Sequence, residues 1–343
     1  MHIMKRLMFL IALMTGVTAA FADCTFTDVI VRQHWPWNPK VEVEMAVAGT
    51  GGRRHLVKIA AYSGGTLLGE IPGGKPVACD SRLTFTFDPT KIDFLKDLGA
   101  IHDFRVVPSA RQVVDIPCLI HRWTFNNTLE DEVGGQDATA KNANLSAKTV
   151  SVTGGENGTS YVELGANALP KTGSVTVEFW VSRDKDSPGT NQGYLFDIGS
   201  SSTDRLSFVP RFSGINSTQV AIENGGYASL NQTLSPAGSM TAETMYHVAI
   251  VLVPTAEGGT TVTAYLQDVT TGATLQSYSW STPSKCSFSR ITQDYCSLGR
   301  SCSFSSIPDI AATYDEVRVW NVALTEEELK RNAQLGPDAL PIP

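Results

Sequence analysis

The chain has 343 residues, which is enough for two domains that each bury a core of their own. With 27 basic and 34 acidic side chains, its formal net charge is −7, and 42% of its residues are hydrophobic, as in an ordinary globular protein. This composition disfavours nucleic acid as a partner, because the close basic pairs Arg53-Arg54 and Lys330-Arg331 form no basic patch with interleaved aromatic residues.

The first 22 residues have the three parts of a secretory signal. Basic residues 5–6 precede an apolar run at about 7–12, and the small residues Ala20 and Ala22 come before Asp23. The apolar run is much shorter than the roughly 20 residues that a membrane-spanning helix needs. We therefore expect cleavage after Ala22, no membrane insertion of the mature chain, and export to the periplasm, the cell surface or the medium.

Residues 23–115 carry short strand patterns separated by glycine- and proline-containing turns, and they predict a small all-β domain of immunoglobulin-like size. The segment 31–47 resembles a small N-terminal module of exported bacterial proteins. Within it, Trp35 and Trp37 either stack on a sugar or a partner, or plug the end of the sandwich. The strands are expected at 26–32, 41–47, 56–61, 83–87 and 102–107.

Strand patterns also dominate residues 116–336, which we take as a second domain followed by a tail at 337–343. So many strands with a single convincing helix predict two packed sheets. The strand at 245–253 is apolar on both faces and is therefore expected at the centre of a sheet. The strands are expected at 118–125, 148–152, 160–164, 174–182, 193–198, 205–212, 218–223, 245–253, 260–268, 273–278, 294–298 and 312–320.

One strand of this domain suggests a ligand-binding residue. At 174–182, apolar residues alternate with Thr176, Glu178 and Trp180, so one face should meet the core and the other should be open. Trp180 on the open face is a candidate for sugar stacking. The alternative is that a neighbouring segment covers it.

The end of the domain predicts a strand and a helix. On a regular strand, Asp315 faces the same side as Val317 and Val319, so its carboxylate would need a partner in the core. The helix start has Thr325 as N-cap and Glu328 as its capping-box partner. We expect one terminal helix after this strand.

Several segments resemble laminin-G-like, concanavalin A-like jelly-roll domains. The closing stretch YDEVRVWNVALTEEELKRN (314–332) is similar to the end of that family, and residues 121–128 and 131–135 are similar to its first strand and loop. Between them, YVELG, SVTVEFWVS and MYHVAIVLV follow the family's order. The resemblance covers about 118–336 and implies an all-β fold in which an immunoglobulin-like sandwich precedes a jelly-roll sandwich with one short C-terminal helix.

The resemblance also implies a metal site. Such domains often hold a structural or ligand-bridging Ca²⁺, coordinated by carboxylates and carbonyls in loops. The positions that match the family's pattern are Asp315, Asn126 and Asp131, and pairing of the first and last strands would bring them together. The alternative for Asp315 is that it accepts backbone N–H bonds.

Motifs for catalysis are not found in the sequence. Glucanase-like enzymes of this architecture carry Glu-x-Asp-x-x-Glu on one strand, whereas the nearest acidic cluster here, residues 130–132, falls in a turn. There is no Gly-x-Ser-x-Gly, and His121 and His247 lie in strand patterns beside aromatic residues, which indicates structural roles. Two acids from separate loops could still flank a sugar.

All six cysteines follow the predicted cleavage site, and an even number in an exported chain favours disulfide bonds. Closeness in the chain suggests that Cys286 pairs with Cys296 or Cys302. The other three, at 24, 79 and 118, would then share the remainder. The odd number on each side leaves a bridge between the domains or one free thiol in each.

Taken together, the sequence predicts a secreted, non-catalytic protein that binds a glycan or an extracellular protein through its laminin-G-like domain. Calcium is its expected ion, and no nucleic acid or membrane partner is expected. The alternatives are a glycoside hydrolase of concanavalin A-like fold and a purely structural or adhesive surface protein.

Overall fold

The structure is a computed structural model, and it describes most of the chain from Cys24 onward. It forms two compact units, one made of residues up to 115 with 133–135, the other of 116–132 and 136 onward. The predicted signal, Trp35, Trp37, Cys79 and Cys302 lie outside the described residues. These residues are 24–33, 40–48, 55–77, 81–96, 104–112, 118–184, 193–212, 217–224, 227–233, 240–273, 275–301 and 306–340.

The first unit consists mainly of strands, with one short helix that the sequence did not predict. A single 3-10 turn at Pro89–Lys91 precedes that helix, and the Asp88 side chain caps the turn. The elements are β1 (Thr25–Gln33), β2 (Val41–Ala48), β3 (His55–Ser63), β4 (Thr66–Glu70), β5 (Lys75–Val77), β6 (Ser81–Phe87), α1 (Asp93–Lys96) and β7 (Phe104–Gln112).

These strands form two antiparallel sheets. One has the order β1-β2-β6, and in the other β3 pairs with β4 and β5 on one edge and with β7 on the other. In β2 every second residue is fully or almost fully buried, from Val41 to Val47, because alternate side chains of a strand point to opposite faces. The buried residues of both sheets share one apolar core. The first unit is therefore all-β, as predicted, while its immunoglobulin-like character stays a prediction.

The second unit contains fifteen described strands and one α-helix. The strands are β8 (Leu119–Trp123), β9 (Thr139–Lys141), β10 (Ala143–Leu145), β11 (Val150–Gly155), β12 (Tyr161–Glu163), β13 (Val175–Arg183), β14 (Phe196–Ser201), β15 (Asp204–Phe212), β16 (Ser217–Asn224), β17 (Tyr227–Thr233), β18 (Tyr246–Pro254), β19 (Thr260–Asp268), β20 (Gln276–Ser281), β21 (Tyr295–Leu298) and β22 (Asp309–Trp320); the helix is α2 (Glu326–Leu335).

Two antiparallel sheets make up this unit. The eight-stranded sheet has the order β10-β11-β22-β13-β18-β19-β20, and β8 pairs with the second half of β22. The seven-stranded sheet has the order β17-β16-β15-β14-β21-β12-β9. Because β8 is the first strand and β22 the last, the expected pairing of the two ends of the domain is confirmed. This is the predicted concanavalin A-like jelly-roll sandwich.

The core lies between the two sheets and contains apolar side chains from both. From β13 it takes Val175, Val177, Phe179 and Val181, so the predicted alternation of this strand is confirmed for its apolar face. β18 lies between β13 and β19 and is buried along most of its length. The apolar pattern on both faces of β18 thus identified a central strand, as expected.

Helix α2 begins as the sequence predicts. Thr325 is the N-cap, its hydroxyl accepts the backbone N–H of Glu328, and the Glu328 carboxylate accepts the backbone N–H of Thr325 in return. Leu329 is fully buried, and Leu324 nearly so. Among the described residues, no helix is long and apolar enough to span a membrane.

No disulfide bond joins any two of the four cysteines that the structure describes. The predicted bond between Cys286 and Cys296 is therefore not formed. The thiol of Cys286 lies 3.4 Å from the carbonyl oxygen of Ile222, and Cys296 is fully buried in the core. Cys24 is buried in the core of the first unit, and Cys118 is exposed at the start of β8. Pairings that involve Cys79 or Cys302 stay predictions.

Candidate functional site

The candidate site lies where β22 departs from a regular strand. Val317 pairs with Phe179 and Tyr314 pairs with Val181, so two residues of β22 face one residue of β13. This β-bulge inserts an extra residue and changes the direction of the side chains that follow. Tyr314 and Val317 both enter the core, and Asp315 does not. The prediction that Asp315 shares the core face with Val317 is therefore wrong, because the sequence pattern assumed a regular strand.

The Asp315 carboxylate is half-buried and poorly compensated. Its Oδ1 atom is buried and has no hydrogen-bond partner within the described chain. Burial raises the pKa of this carboxyl to about 6, and the negative charges of Asp338 and Glu316 add to the increase, while Lys148 opposes it. At least one oxygen of Asp315 thus lacks the backbone N–H donors that the alternative interpretation expected. The negative charges nearby also disfavour ionisation of the Asp315 carboxyl.

Asp338 acts electrostatically on this carboxylate, and Asn126 is hydrogen-bonded to Asp338. The Asn126 side-chain amide donates to Asp338 Oδ1 at 2.6 Å, and the backbone N–H of Asp338 donates to Glu316 Oε2 at 2.6 Å. The charge of Asp338 acts on Asp315, so Asp338 links two of the predicted ligands, Asp315 and Asn126. We call Asn126, Asp315 and Asp338 the rim cluster. Asp338 could not be identified from the sequence, because it follows the last helix without any periodic pattern.

Asp131, the third predicted ligand, has a different environment. Its side chain is fully buried, and its oxygens accept the backbone N–H groups of Arg122 at 2.9 Å and Gln136 at 3.0 Å. His121 Nδ1 lies 2.6 Å from the same carboxylate. These contacts are those of a structural acceptor that organises the loop after β8, rather than those of a metal ligand.

The rim cluster fits a calcium ion in the chemistry of its donors. Calcium prefers oxygen ligands and combines carboxylates with amide and backbone carbonyls. The carboxylates of Asp315 and Asp338 and the side-chain amide of Asn126 offer such donors, and Oδ1 of Asp315 has no other partner among the described residues. No group of three or more His, Cys, Asp or Glu side chains in a metal-binding arrangement occurs in the described ranges. An ion at this rim would therefore need the Asn126 amide oxygen and backbone oxygens as further ligands.

Trp180 does not lie on an open face. Its ring is fully buried, with the Arg318 guanidinium 4.5 Å from the ring centroid and the His247 ring at 4.5 Å. The prediction of Trp180 as a stacking platform for a ligand is wrong, because the C-terminal segments cover this face of the eight-stranded sheet. Asn332 of α2 and the Ala339 carbonyl both reach groups beside it.

Glu178, on the same face of β13 as Trp180, makes several polar contacts beneath α2. Its carboxylate accepts hydrogen bonds from Trp320 Nε1 at 2.9 Å and Asn332 Nδ2 at 3.0 Å, and it lies 2.9 Å from His247 Nε2. Complete burial opposes ionisation, but contacts with His247 and Arg318 outweigh it and hold the pKa of Glu178 below its usual value. His247 is thus a structural histidine, as predicted.

A second buried ion-pair network links β8 to β22. Arg122 donates from Nε and Nη2 to the two oxygens of Glu316, at 2.6 and 3.1 Å, and Arg318 Nε lies 2.5 Å from Glu316 Oε1. Burial opposes the charge of Glu316, but the two arginines lower its pKa below the usual value. Glu316 also accepts the backbone N–H of Asp338, so this network is hydrogen-bonded to the rim cluster.

The outer face of the seven-stranded sheet carries a row of polar residues. Glu163, Ser297, Asp197 and Ser207 are consecutive partners across four strands, and their neighbours along each strand point into the core. The Glu163 carboxylate accepts the backbone N–H of Cys296 and the hydroxyl of Ser297. Asp197, Ser207 and Ser297 are almost completely buried. The described residues of this row therefore offer little accessible surface.

Several solved structures are similar to part of this chain. The binding domain of botulinum neurotoxin serotype D is 11% identical over 63% of this chain and 51% of its own, with a TM-score of 0.45. A Trypanosoma rangeli sialidase is 11% identical over 85% of this chain and 42% of its own, with a TM-score of 0.45. Alginate lyase Aly36B is 13% identical over 62% of this chain and 100% of its own, with a TM-score of 0.42. This chain spans about half the length of the neurotoxin domain, and similarity at this level assigns it neither a fold nor a ligand.

No curated protein matches the sequence. The sequence pattern of the concanavalin A-like lectin/glucanases superfamily, in its laminin-G form, matches residues 156–330. This segment is just over half of the chain and contains most strands of the second unit, from β12 to β22. The chain belongs to the concanavalin A-like lectin/glucanases superfamily.

Proposed function

We propose that the second unit binds a glycan or an extracellular protein without catalysis, and that its binding surface includes the rim cluster. The observation that carries this proposal is the half-buried Asp315 carboxylate, whose Oδ1 has no hydrogen-bond partner in the described chain and which lies near a second carboxylate, Asp338. An uncompensated pair of acids is unfavourable unless a cation or a ligand offsets it. A binding role accounts for this arrangement better than a purely structural one.

Asp315, Asp338 and Asn126 would hold a calcium ion, which would supply positive charge at a rim that otherwise concentrates negative charge. Asn126 lies in the loop after β8, and Asp338 lies in the tail after α2. An ion bound by both segments would order them against each other. Ligand binding at the rim is then expected to depend on calcium, because the shape of the surface depends on these two segments.

The acids of the sheet faces support a non-catalytic role. A glycosidase needs two carboxyl groups roughly 5–10 Å apart on either side of a sugar. Glu178 is fully buried under α2, and Glu316 is held by two arginines. Glu163 is held by Cys296 and Ser297. Each of these carboxylates already stabilises the fold, and its contacts are those of a structural group.

We also propose that the protein is exported and that its first unit is an immunoglobulin-like module that presents the binding domain. The secretory pattern of residues 1–22 supports export. The paired three- and four-stranded sheets around one core support the module.

A glycan-array screen tests the proposed function. The chain from Asp23 onward would be applied in calcium and again in EDTA. Binding to a defined group of glycans in calcium, reduced in EDTA, is the expected result. A parallel screen against extracellular proteins covers the second kind of partner. Absence of binding in both screens would refute the binding proposal and favour the structural or adhesive alternative.

One observation favours the glycoside hydrolase as a second candidate. Glu163 and Asp197 lie in the same row of the seven-stranded sheet with one strand between them, so their backbones are separated by about 10 Å. The carboxyls of inverting glycosidases are roughly 6.5–9.5 Å apart, but Asp197 is fully buried and Glu163 is held by Cys296 and Ser297, so this row would have to open before it could act on a sugar. Release of reducing ends from a polysaccharide panel, lost in Glu163→Gln and in Asp197→Asn, would establish this candidate. No release by the wild-type chain would remove it.

A further inference from the structure

A basic cluster surrounds one aromatic ring at the edge of the seven-stranded sheet. Lys141 of β9 and Tyr161 of β12 are directly opposed partners, and Lys141 Nζ lies 5.9 Å from the centroid of the Tyr161 ring. Arg300, just after β21, places its guanidinium carbon 4.5 Å from the same centroid. Two cations thus share one ring in a chain whose net charge is negative.

The cluster is reachable from solvent. Val162 points into the core, so its neighbour Tyr161 points to the outer face of the sheet. Lys141 is exposed, and Tyr161 and Arg300 are partly exposed. Unlike the buried polar row farther along the sheet, this edge therefore has accessible charged groups.

The Arg300 guanidinium lies over the Tyr161 ring, but hydrogen bonds within the described part of the chain do not hold it. It donates no hydrogen bond to any residue in the ranges that the structure describes, and its Nε atom is buried without a partner there. The Asp309 carboxylate interacts with it electrostatically. However, the Asp309 carboxylate is already occupied by the backbone N–H groups of residues 158–160. No acceptor among the described residues therefore uses the donors of Arg300, which leaves them for an external acceptor.

The neighbouring groups hold this arrangement in place. Gly299, at φ +82°, turns the chain out of β21 immediately before Arg300. Lys141 Nζ donates to the carbonyl oxygen of Gly158 at 2.5 Å, which fixes the ammonium beside the ring. The Glu163 carboxylate, on the same face, is directed to Cys296 and Ser297. Both nearby carboxylates, Glu163 and Asp309, are therefore engaged by other groups and do not pair directly with Lys141 or Arg300.

We propose that Lys141, Tyr161 and Arg300 form a binding site for a carboxylate or sulfate group of an acidic glycan. A guanidinium fork matches the two oxygens of such a group, and a nearby ammonium adds a second charge. The ring holds the guanidinium from one side and leaves its edge for the ligand. The choice of a glycan rests on the proposed function, whereas the anion chemistry rests on these three side chains and does not involve the rim cluster.

The test is a titration of four polymers into the chain from Asp23 onward, in EDTA so that calcium plays no part. The polymers are polygalacturonate for carboxylate, dextran sulfate for sulfate, neutral dextran, and polyglutamate as an anion that is not a sugar. We expect polygalacturonate or dextran sulfate to bind, with affinity that falls as salt increases, and neutral dextran and polyglutamate not to bind.

Three variants locate the site. Arg300→Ala is expected to weaken binding about tenfold or more, the size of a lost charge-assisted hydrogen bond. Arg300→Lys, which keeps the charge but loses the fork, is expected to weaken it less. Arg331→Ala removes an exposed arginine on α2 and is the matched control, expected to change affinity less than twofold. Thermal unfolding of each variant verifies that it is folded.

The proposal is overturned if none of the acidic polymers binds, if polyglutamate binds as well as the acidic glycans, or if Arg331→Ala weakens binding as much as Arg300→Ala. If Arg300→Ala does not fold, Lys141→Ala, which replaces an exposed residue, is tested instead. We expect this variant to bind the acidic glycan more weakly, and unchanged binding would contradict the proposal. Because the titration is made without calcium, failure here leaves calcium-dependent binding at the rim cluster unaffected.

Discussion

The side-chain amide of Asn126 donates to the Asp338 carboxylate across 2.6 Å, and this contact joins the loop after β8 to the tail after α2. The two residues are 212 positions apart in the chain. Next to them, Asp315 keeps a buried oxygen without a hydrogen-bond partner in the described structure. The free energy of unfolding of the second unit should therefore depend on calcium and on the charge of Asp315.

Replacing Asp315 by asparagine should stabilise the calcium-free protein. The raised pKa shows that the charged form of Asp315 is unfavourable in the folded state. Because the carboxylate is half-buried, solvent screening reduces the expected gain to about 1 kcal/mol in the free energy of unfolding at neutral pH. Urea denaturation in EDTA measures it.

The same variant should lose the stabilisation that calcium gives. For the wild type, calcium at 100 times its dissociation constant is expected to add about 2.7 kcal/mol. The control is Asp294→Asn, which removes an exposed carboxylate elsewhere in the same unit and should keep the full calcium effect. A wild type whose unfolding is the same in calcium and in EDTA would contradict the assignment.

Trp180 should be important for stability and unimportant for binding. The ring is fully buried between Arg318 and His247. Trp180→Phe leaves a cavity and removes part of the contact with the arginine, so we expect a loss of about 2–3 kcal/mol in the free energy of unfolding. Ligand affinity of the folded variant should stay within twofold of the wild type. Normal stability with lost binding would indicate that Trp180 is reachable by ligand after all.

Acid should destabilise the second unit through Glu178. Its pKa is lower in the folded protein than in the unfolded chain, so between these two values the unfolded state binds more protons. The stabilisation is complete above the ordinary pKa of glutamate, about 4.3, and is lost as the pH falls through the lower folded value. Urea midpoints measured from pH 7 to pH 3 should fall most steeply below about pH 4.5, and a flat profile there would contradict the network.

The N-cap of α2 should contribute measurably to stability. Thr325→Ala removes the hydroxyl that accepts the Glu328 N–H, and we expect a cost of about 1 kcal/mol. Thr325→Ser keeps the hydroxyl and is the matched control, with a change of less than about 0.5 kcal/mol. Because α2 covers Glu178, the alanine variant should also increase hydrogen exchange of the indole N–H of Trp320. Equal stability of the alanine and serine variants would argue against the cap.

The strands were predictable where side chains alternate strictly or where both faces are apolar. β13, β18 and the cap at Thr325 are such cases, since each signal is local in the sequence. The short strands β9 and β10 were missed because three residues without an apolar alternation give no periodic signal. Most strand positions, and the two-sheet arrangement, therefore follow from local patterns.

The candidate site was only partly predictable, because its geometry depends on contacts between distant segments. The bulge that turns Asp315 out of the core is a property of the pairing with β13. Asp338 belongs to a tail whose sequence has no pattern, and Trp180 is covered by segments more than a hundred residues later in the chain. A single sequence shows which residues have the right chemistry, but it does not show which of them meet.

The most direct test of the calcium assignment is a calorimetric titration of calcium into the chain from Asp23 onward and into Asp315→Asn. We expect saturable binding by the wild type, loss of that binding in Asp315→Asn, and wild-type binding in the Asp294→Asn control. Absence of calcium binding by the wild type, or equal binding by Asp315→Asn, would contradict the assignment of calcium to the rim cluster.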